Sequence, residues 1–143
     1  MTRYWLNTFD AGSWQYFLGL SASTLGAKSR RPQIAVDDVF LCYVRQEGST
    51  PGQWVGAERV TSGMRHDDRI IYDDGLWPWR WDVEPAVPRR LFGCGIAGRD
   101  LIDDMTMYRG MAANKWGSAM RTQGREIPAA DGELLVRLLA APS

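Results

Sequence analysis

A tryptophan-rich stretch at positions 77–81, with the sequence WPWRW, contains the residues best suited to binding a flat ligand. In an extended strand its three tryptophans share one face, and Pro78 and Arg80 share the other. The pattern assigns Trp79 and Trp81 to the core, because large apolar residues in the middle of a strand are usually buried. Trp77 stands at the start of the strand, where its ring can line a cleft and stack on a planar ligand.

Two polar residues could read the edge of such a ligand. A nucleobase, for example, needs a stacking surface and a few fixed hydrogen-bond donors and acceptors. Asn7, at the end of the first predicted strand, and Ser21, in a long loop at 19–33, offer groups of both kinds. Both residue types are equally typical of turns and caps, so this structural interpretation stays open.

Basic residues lie in the same loop and near the C-terminus. We expect them to contact phosphates, although most single surface cations are simply solvated. They are Lys28, Arg30, Arg31 and Arg121. The 17 basic residues are balanced by 17 acidic ones, so the formal net charge is zero. That balance argues against high, non-specific affinity for nucleic acid.

Catalytic and metal chemistry have little support in the sequence. His66 lies in a polar run typical of a solvated loop, and there is no G-x-S-x-G motif. Cys42 and Cys94 have apolar or glycine neighbours, which predicts buried free thiols, and no Cys-x-x-Cys pair suggests zinc. The stretch 93–98 matches the phosphate-binding pattern G-x-G-x-x-G, but that pattern belongs to a βαβ unit and here lies late in the chain. Asp100, Asp103 and Asp104 also crowd the start of the next predicted helix and would repel anions, so we interpret the match as accidental. We therefore expect no catalysis, cofactor or metal.

The elements that must position these residues are strands in the middle of the chain and helices near both ends. A chain of 143 residues predicts one domain over 1–143. Asp10 is a candidate N-cap for a helix at 11–18, and Pro128 precedes an amphipathic helix at 129–140. A short helix is predicted at 100–107, and strands at 3–8, 39–44, 53–60, 69–72, 77–83 and 90–94. Together these elements predict an α+β fold, a small, curved, mostly antiparallel β-barrel flanked by helices.

Several segments resemble, in the same order, those of EVE domains, which are PUA-like and related to YTH domains. They are the opening strand at 4–7, the strands at 38–47 and 53–60, the tryptophan-rich strand at 77–85 and the ending at 125–128. The resemblance implies a PUA-like barrel whose pocket accepts a base, often modified, from DNA or RNA. By position, Trp77 matches a tryptophan of the aromatic cage that holds methylated adenine in YTH domains, and Arg121 lies in a stretch similar to one that approaches nucleic acid there. Leu20 and Ser21 match a loop that usually carries another aromatic residue, so the preferred base can differ here.

The resulting hypothesis is a non-catalytic module that binds a nucleobase of DNA or RNA, and we expect that base to be modified. One alternative is a sensor or weak enzyme that takes a free nucleoside or another flat small molecule in the same pocket. Another is an interaction module whose pocket stays unoccupied. The chain shows neither a signal peptide nor an apolar run near the ~20 residues of a membrane span, which predicts a cytoplasmic protein without a membrane partner. The modification, the choice between DNA and RNA, and the oligomeric state stay open.

Overall fold

The computed structural model describes residues 1–72, 77–111, 120 and 124–142. Its helices are α1 (Ala11–Leu18) and α2 (Ala129–Ala140), and two 3₁₀ turns cover Gly98–Leu101 and Thr106–Tyr108. Its strands are β1 (Tyr4–Phe9), β2 (Thr24–Ala27), β3 (Val39–Val44), β4 (Gln53–Val60), β5 (Arg65–His66), β6 (Trp79–Pro85), β7 (Ile96–Ala97) and β8 (Glu126–Ile127). The predicted α+β class is confirmed.

The strands form one curved, mixed sheet in the order β2-β6-β4-β3-β1-β8, with β5 beside β6 and β7 beside β4. Strand β1 runs parallel to β3, and the other ladders are antiparallel. In the described part of the chain the path ends at β2 and β8, so the predicted barrel is an open sheet. Strands β1 and β2 come close without a described ladder between them, and both contribute residues to the same cavity.

Both faces of the sheet are covered, which explains why all six residues of β3 are buried. On one face Phe40 belongs to a core that includes Trp14 and Phe17 of α1. On the other face Leu41 belongs to a core that includes Leu135 of α2. Successive side chains of β3 therefore point alternately into two separate cores, one under each helix.

Helix α1 and the β3–β4 hairpin have the predicted bounds because their signals are local. Asp10 caps α1, and its Oδ1 accepts a 2.7 Å hydrogen bond from the Ser13 amide. Trp14 packs on β4 at Gly56, where a Cβ atom would lie 3.2 Å from the indole. Because the strand carries a glycine there, the helix can lie close against it.

Helix α2 also has the predicted bounds, whereas the predicted helix at 100–107 is wrong. Asp131 of α2 is buried and accepts hydrogen bonds from the amides of Thr106 (2.7 Å) and Met107 (2.8 Å). Because these two amides bond to Asp131 of α2, they do not bond within a helix of their own segment. The segment forms two 3₁₀ turns instead. In the part of the chain that is described, neither helix has the length and apolar composition needed to cross a bilayer.

Two strand predictions and one loop prediction need correction. The side chain of Gln53 accepts hydrogen bonds from the amides of Gly93 (2.8 Å) and Gly95 (2.7 Å), so 90–94 is a turn and the strand follows at β7. The same bonds occupy amides of the G-x-G-x-x-G stretch, which supports its interpretation as accidental. The predicted strand at 69–72 is also wrong, since the Arg69 carbonyl bonds to a side chain and β5 forms earlier, at 65–66. The loop at 19–33 contains β2, which pairs with β6.

The two cysteines are free but differ in exposure. Cys42 is buried, as predicted, and burial raises the pKa of its thiol well above the usual value. The prediction is wrong for Cys94, which is exposed because the turn bound by Gln53 lies at the surface. We expect a thiol-reactive probe to label Cys94 within minutes in the native protein and Cys42 only after unfolding. Mass spectrometry of labelled peptides measures this, and rapid native labelling of Cys42 would contradict the described packing.

Candidate functional site

A cavity of about 330 Å³ opens beside Trp77, where β1, β2 and the start of β6 approach one another. Ligand pockets usually span ~300–1,000 Å³, so this one suits a single flat group. Three aromatic residues line it, together with three charged and four small or polar ones. They are Phe9, Tyr72 and Trp77; Asp10, Lys28 and Arg45; and Asn7, Thr8, Ser13 and Gly26.

The half-buried Trp77 is held from two sides. Its carbonyl accepts a 2.9 Å hydrogen bond from Nε of Arg80. On the side of β2, a Cβ atom at Gly26 would lie only 2.7 Å from the Cβ of Trp77. Glycine at this position therefore allows β2 to approach the tryptophan, and a larger residue would displace its ring.

Tyr72 forms a second aromatic wall that sequence reasoning missed. Its ring is buried and lies edge-on to Trp77, with centroids 5.9 Å apart. Its hydroxyl donates a 3.1 Å hydrogen bond to the Thr24 carbonyl, and burial raises the pKa of this hydroxyl, which stays a neutral donor. The backbone of Tyr72 has φ of 66°, a strained value for a residue with a Cβ. Its position just before the turn predicted at 73–75 was the only sequence signal available.

Arg80 is the second residue that sequence reasoning missed. The strand pattern placed it opposite the tryptophans, yet it is only 1% exposed. Besides the Trp77 carbonyl, its guanidinium bonds to the Arg69 carbonyl and lies 3.2 Å from a carboxylate oxygen of Asp67. The hydrogen bond and ion pair with Arg69 hold the pKa of the Asp67 carboxyl far below its usual range, and Arg80 adds to this effect. The buried guanidinium of Arg80 thus connects the segment 67–69 to Trp77.

The polar lining groups come from β1 and from the start of α1. Asn7 is 4% exposed on β1 and carries both a donor and an acceptor on its side chain. Asp10 caps the helix and lies 3.6 Å from Arg45. Thr8 donates its hydroxyl to the Met120 carbonyl. The cavity therefore combines aromatic walls with a few fixed polar groups, as sites for flat ligands do.

The predicted phosphate ligands lie in different surroundings. Lys28 lines the cavity, and its Nζ is 4.8 Å from the centroid of the Trp77 ring. Arg30 is exposed, and its guanidinium lies 6.0 Å from the ring of Trp79. Arg31 is half-buried against Gly124, where a Cβ atom would overlap its side chain. Arg121 lies outside the described residues.

The remaining predicted site residues lie away from the cavity lining that the structure describes. Leu20 packs against the core at the end of α1, and Ser21 is exposed beside it. Trp81 is buried in the core, as predicted. Trp79 is only half-buried, which the core assignment did not anticipate. Of the predicted base-binding residues, the fold thus brings Trp77 and Asn7 to one cavity.

This fold is shared with several solved structures. A YTH domain-containing protein, mmi1, solved as an RNA complex, has a TM-score of 0.64 at 14% identity, over 96% of this chain and 81% of that one. The YTH domain of Zygosaccharomyces rouxii MRB1, solved with N6-methyladenosine RNA, has a TM-score of 0.60 at 13% identity, over 99% and 87%. Atu2648 from Agrobacterium tumefaciens has a TM-score of 0.58 at 17% identity, over 99% and 97%.

No protein-family model and no curated protein sequence matches the chain. The structural likeness nevertheless shows the fold. The chain shares the α+β fold of these YTH domains and of Atu2648, so the resemblance to YTH domains is confirmed at the level of the fold.

Proposed function

We propose that this protein is a non-catalytic module that binds a modified nucleobase of a nucleic acid in the cavity beside Trp77. One observation supports this function most directly. The fold is that of a YTH domain solved with N6-methyladenosine RNA, and it carries here a base-sized cavity of about 330 Å³ walled by Trp77 and Tyr72.

The lining groups suit the parts of a methylated base. The Trp77 ring offers a stacking surface, and stacking contributes ~1–3 kcal/mol per base. Asn7 can donate to and accept from the polar edge of the base, which gives selectivity that stacking lacks. A methyl group would contact the apolar rings of Phe9 and Tyr72. Leu20 and Ser21 lie outside the described lining, so we do not assign them a contact with the base.

Lys28 would exchange partners when the base enters. Its contact with the Trp77 ring contributes about 0.5–1 kcal/mol at an exposed position, which is less than the stacking of a base provides. The displaced ammonium group then remains beside the cavity, where it can pair with a phosphate of the same nucleotide. Arg45 also lines the cavity, but Asp10 partly neutralises it.

Binding titrations with matched oligonucleotides test this function. Short single strands of RNA and DNA would carry N6-methyladenine, 5-methylcytosine or the unmodified base, and free nucleosides would be titrated separately. We expect one modified strand to bind best, and Trp77→Ala to lower that affinity about five- to 150-fold through lost stacking.

Phe92→Ala is the control variant, because Phe92 is a half-buried aromatic residue outside the described cavity lining. It should leave the affinity within about twofold of the wild type. Equal binding of modified and unmodified strands would refute modified-base recognition. Nucleosides that bind as tightly as strands would favour a sensor of free nucleosides.

A further inference from the structure

Two tryptophans near the start of β6 each lie against a cation from the segment that follows β2. Lys28 Nζ lies 4.8 Å from the Trp77 centroid, and the Arg30 guanidinium lies 6.0 Å from the Trp79 centroid. The two tryptophans are two residues apart in the sequence, and so are the two cations. Both pairs lie next to the end of the ladder where Ala27 of β2 is paired with Trp79 of β6.

The second pair, Trp79 and Arg30, lies outside the described lining of the cavity, and the ring of a third residue lies beside it. His66 of β5 is paired with Trp79 in the ladder, and its ring lies edge-on to the indole with centroids 5.0 Å apart. His66 and Arg30 are both exposed, and Trp79 is half-buried. The three side chains form a stacking ledge, the name used below for Trp79, Arg30 and His66.

Two of the three acidic groups described near this surface are paired with arginines. The carboxylate of Asp82 pairs with Arg65 at 2.8 Å, and that of Asp67 pairs with Arg69 at 2.9 Å. The exposed Asp68 lies 3.5 Å from Nδ1 of His66 itself. None of these three described carboxylates is paired with Arg30, whose planar guanidinium donors are well suited to a phosphate.

We propose that the stacking ledge binds the base that neighbours the one in the cavity, so that the ligand is a single-stranded nucleic acid. This second site rests on the proposed function of the cavity. Aromatic rings flanked by arginine bind bases with little sequence preference. The ledge adjoins the cavity, since Trp79 follows Trp77 by two residues in the chain.

The spacing of the rings selects the form of nucleic acid. Two residues along a β-strand span roughly 7 Å, whereas stacked bases of a duplex strand are ~3.4 Å apart. Bases on Trp77 and Trp79 are therefore splayed apart, which a single strand permits and an intact duplex does not.

The test compares a short single-stranded RNA and its DNA counterpart, each with one N6-methyladenine, with free N6-methyladenosine. We expect Trp79→Ala to lower the affinity for the strand at least about fivefold, through loss of the ring. We expect Arg30→Ala to lower it at least about twofold, through loss of the cation. Both variants should leave the affinity for the nucleoside unchanged. An abasic site in place of the neighbouring base should cause the same loss in the wild type and no further loss in Trp79→Ala.

The outcomes separate failure of the ledge from failure of the cavity. If Trp77→Ala abolishes strand binding while both ledge variants and the abasic strand behave as wild type, the ledge is refuted and the cavity stands. Equal loss of nucleoside and strand affinity in Trp79→Ala refutes a separate ledge. No binding of either probe by wild type overturns both. Because the side chain of Arg30 is exposed, Arg30→Ala should fold normally. A loss of strand affinity in this variant is therefore not caused by misfolding.

Discussion

Replacing Arg80 by methionine is expected to lower the free energy of unfolding by about 2–4 kcal/mol and to weaken base binding more than tenfold. Methionine keeps much of the length of the side chain but removes every donor. The carbonyls of Trp77 and Arg69 then lose their partner, and a fully buried acceptor left unpaired costs ~1–3 kcal/mol, an upper bound for these two partly buried bonds. Asp67 also loses a neighbouring cation.

The effect on binding follows from the effect on Trp77. Nε of Arg80 donates a hydrogen bond of 2.9 Å to the carbonyl oxygen of Trp77. Without this bond the ring of Trp77 loses its fixed position on the cavity wall. A displacement of about 1 Å is enough to weaken a preorganised site. Arg80→Lys keeps the charge but not the planar fork of donors, so an intermediate result is expected.

Urea denaturation and binding titration at low temperature, where Arg80→Met stays folded, measure the two effects separately. Arg65→Met is the matched control, because it makes the same substitution at an arginine whose side chain is 40% exposed and paired with Asp82 at the surface. We expect this control to lose less than about 1 kcal/mol. Normal affinity in folded Arg80→Met would contradict a positioning role for Arg80.

The second large effect is expected at a buried ion pair on the core beneath α1. Glu58 is fully buried, and Arg89 donates to its carboxylate through Nε at 3.0 Å and through a second nitrogen at 2.5 Å. Arg89 also donates to the Ser23 hydroxyl and lies 4.7 Å from the Phe17 centroid. Arg89→Met leaves a buried carboxylate without its cation, which destabilises proteins by about 3–5 kcal/mol.

The loss in Arg89→Met should depend on pH in a defined direction. Burial raises the pKa of Glu58 above its usual value, while Arg89 opposes that rise. Without the arginine the folded pKa rises further, so the folded state binds a proton that the unfolded state releases. The variant is therefore least impaired near pH 4 and loses stability as the pH rises through the folded pKa of Glu58.

Denaturant unfolding from about pH 4 to about pH 8 measures this dependence, provided that the variant remains two-state. The double variant Glu58→Leu/Arg89→Met should recover much of the lost stability, because it removes both charges. Arg3→Met is the surface control, since Arg3 pairs with Glu126 at 2.9 Å with both side chains nearly half exposed. A pH-independent loss in Arg89→Met would contradict an unpaired buried carboxylate.

Elements with strong local signals were predictable from the sequence. The helix capped by Asp10, the hairpin of β3 and β4, and α2 all have the predicted bounds. Strand β2 was not predictable, since the sequence TLGA in 24–27 has no strand periodicity and becomes a strand by pairing with β6. The two-residue strands β5, β7 and β8 are likewise defined by their neighbours, as a pattern of period two needs more residues to be detected.

The candidate site was predictable only in part. Trp77 was predicted from its place at the start of the predicted strand 77–83, and Asn7 from its place at the end of the first strand. Both line the cavity. Tyr72 and Arg80 were missed, because a left-handed tyrosine and a buried arginine contradict the usual preferences of those residues. Such departures from local rules gather around the cavity, as is common at functional sites.

By itself, the sequence determined the α+β class, the two helices and the central hairpin, and it predicted that Trp77 lines a cleft, as it does. The tertiary structure decided what surrounds that ring. Lys28 and Gly26 of the loop region, Tyr72 and Asn7 are distant in sequence and meet only because β1, β2 and β6 converge. It also divided the tryptophan strand into a cavity wall at Trp77, a half-buried ring at Trp79 and a core residue at Trp81. Burial depends on which strands pack alongside, and a single strand's residue pattern does not contain that information.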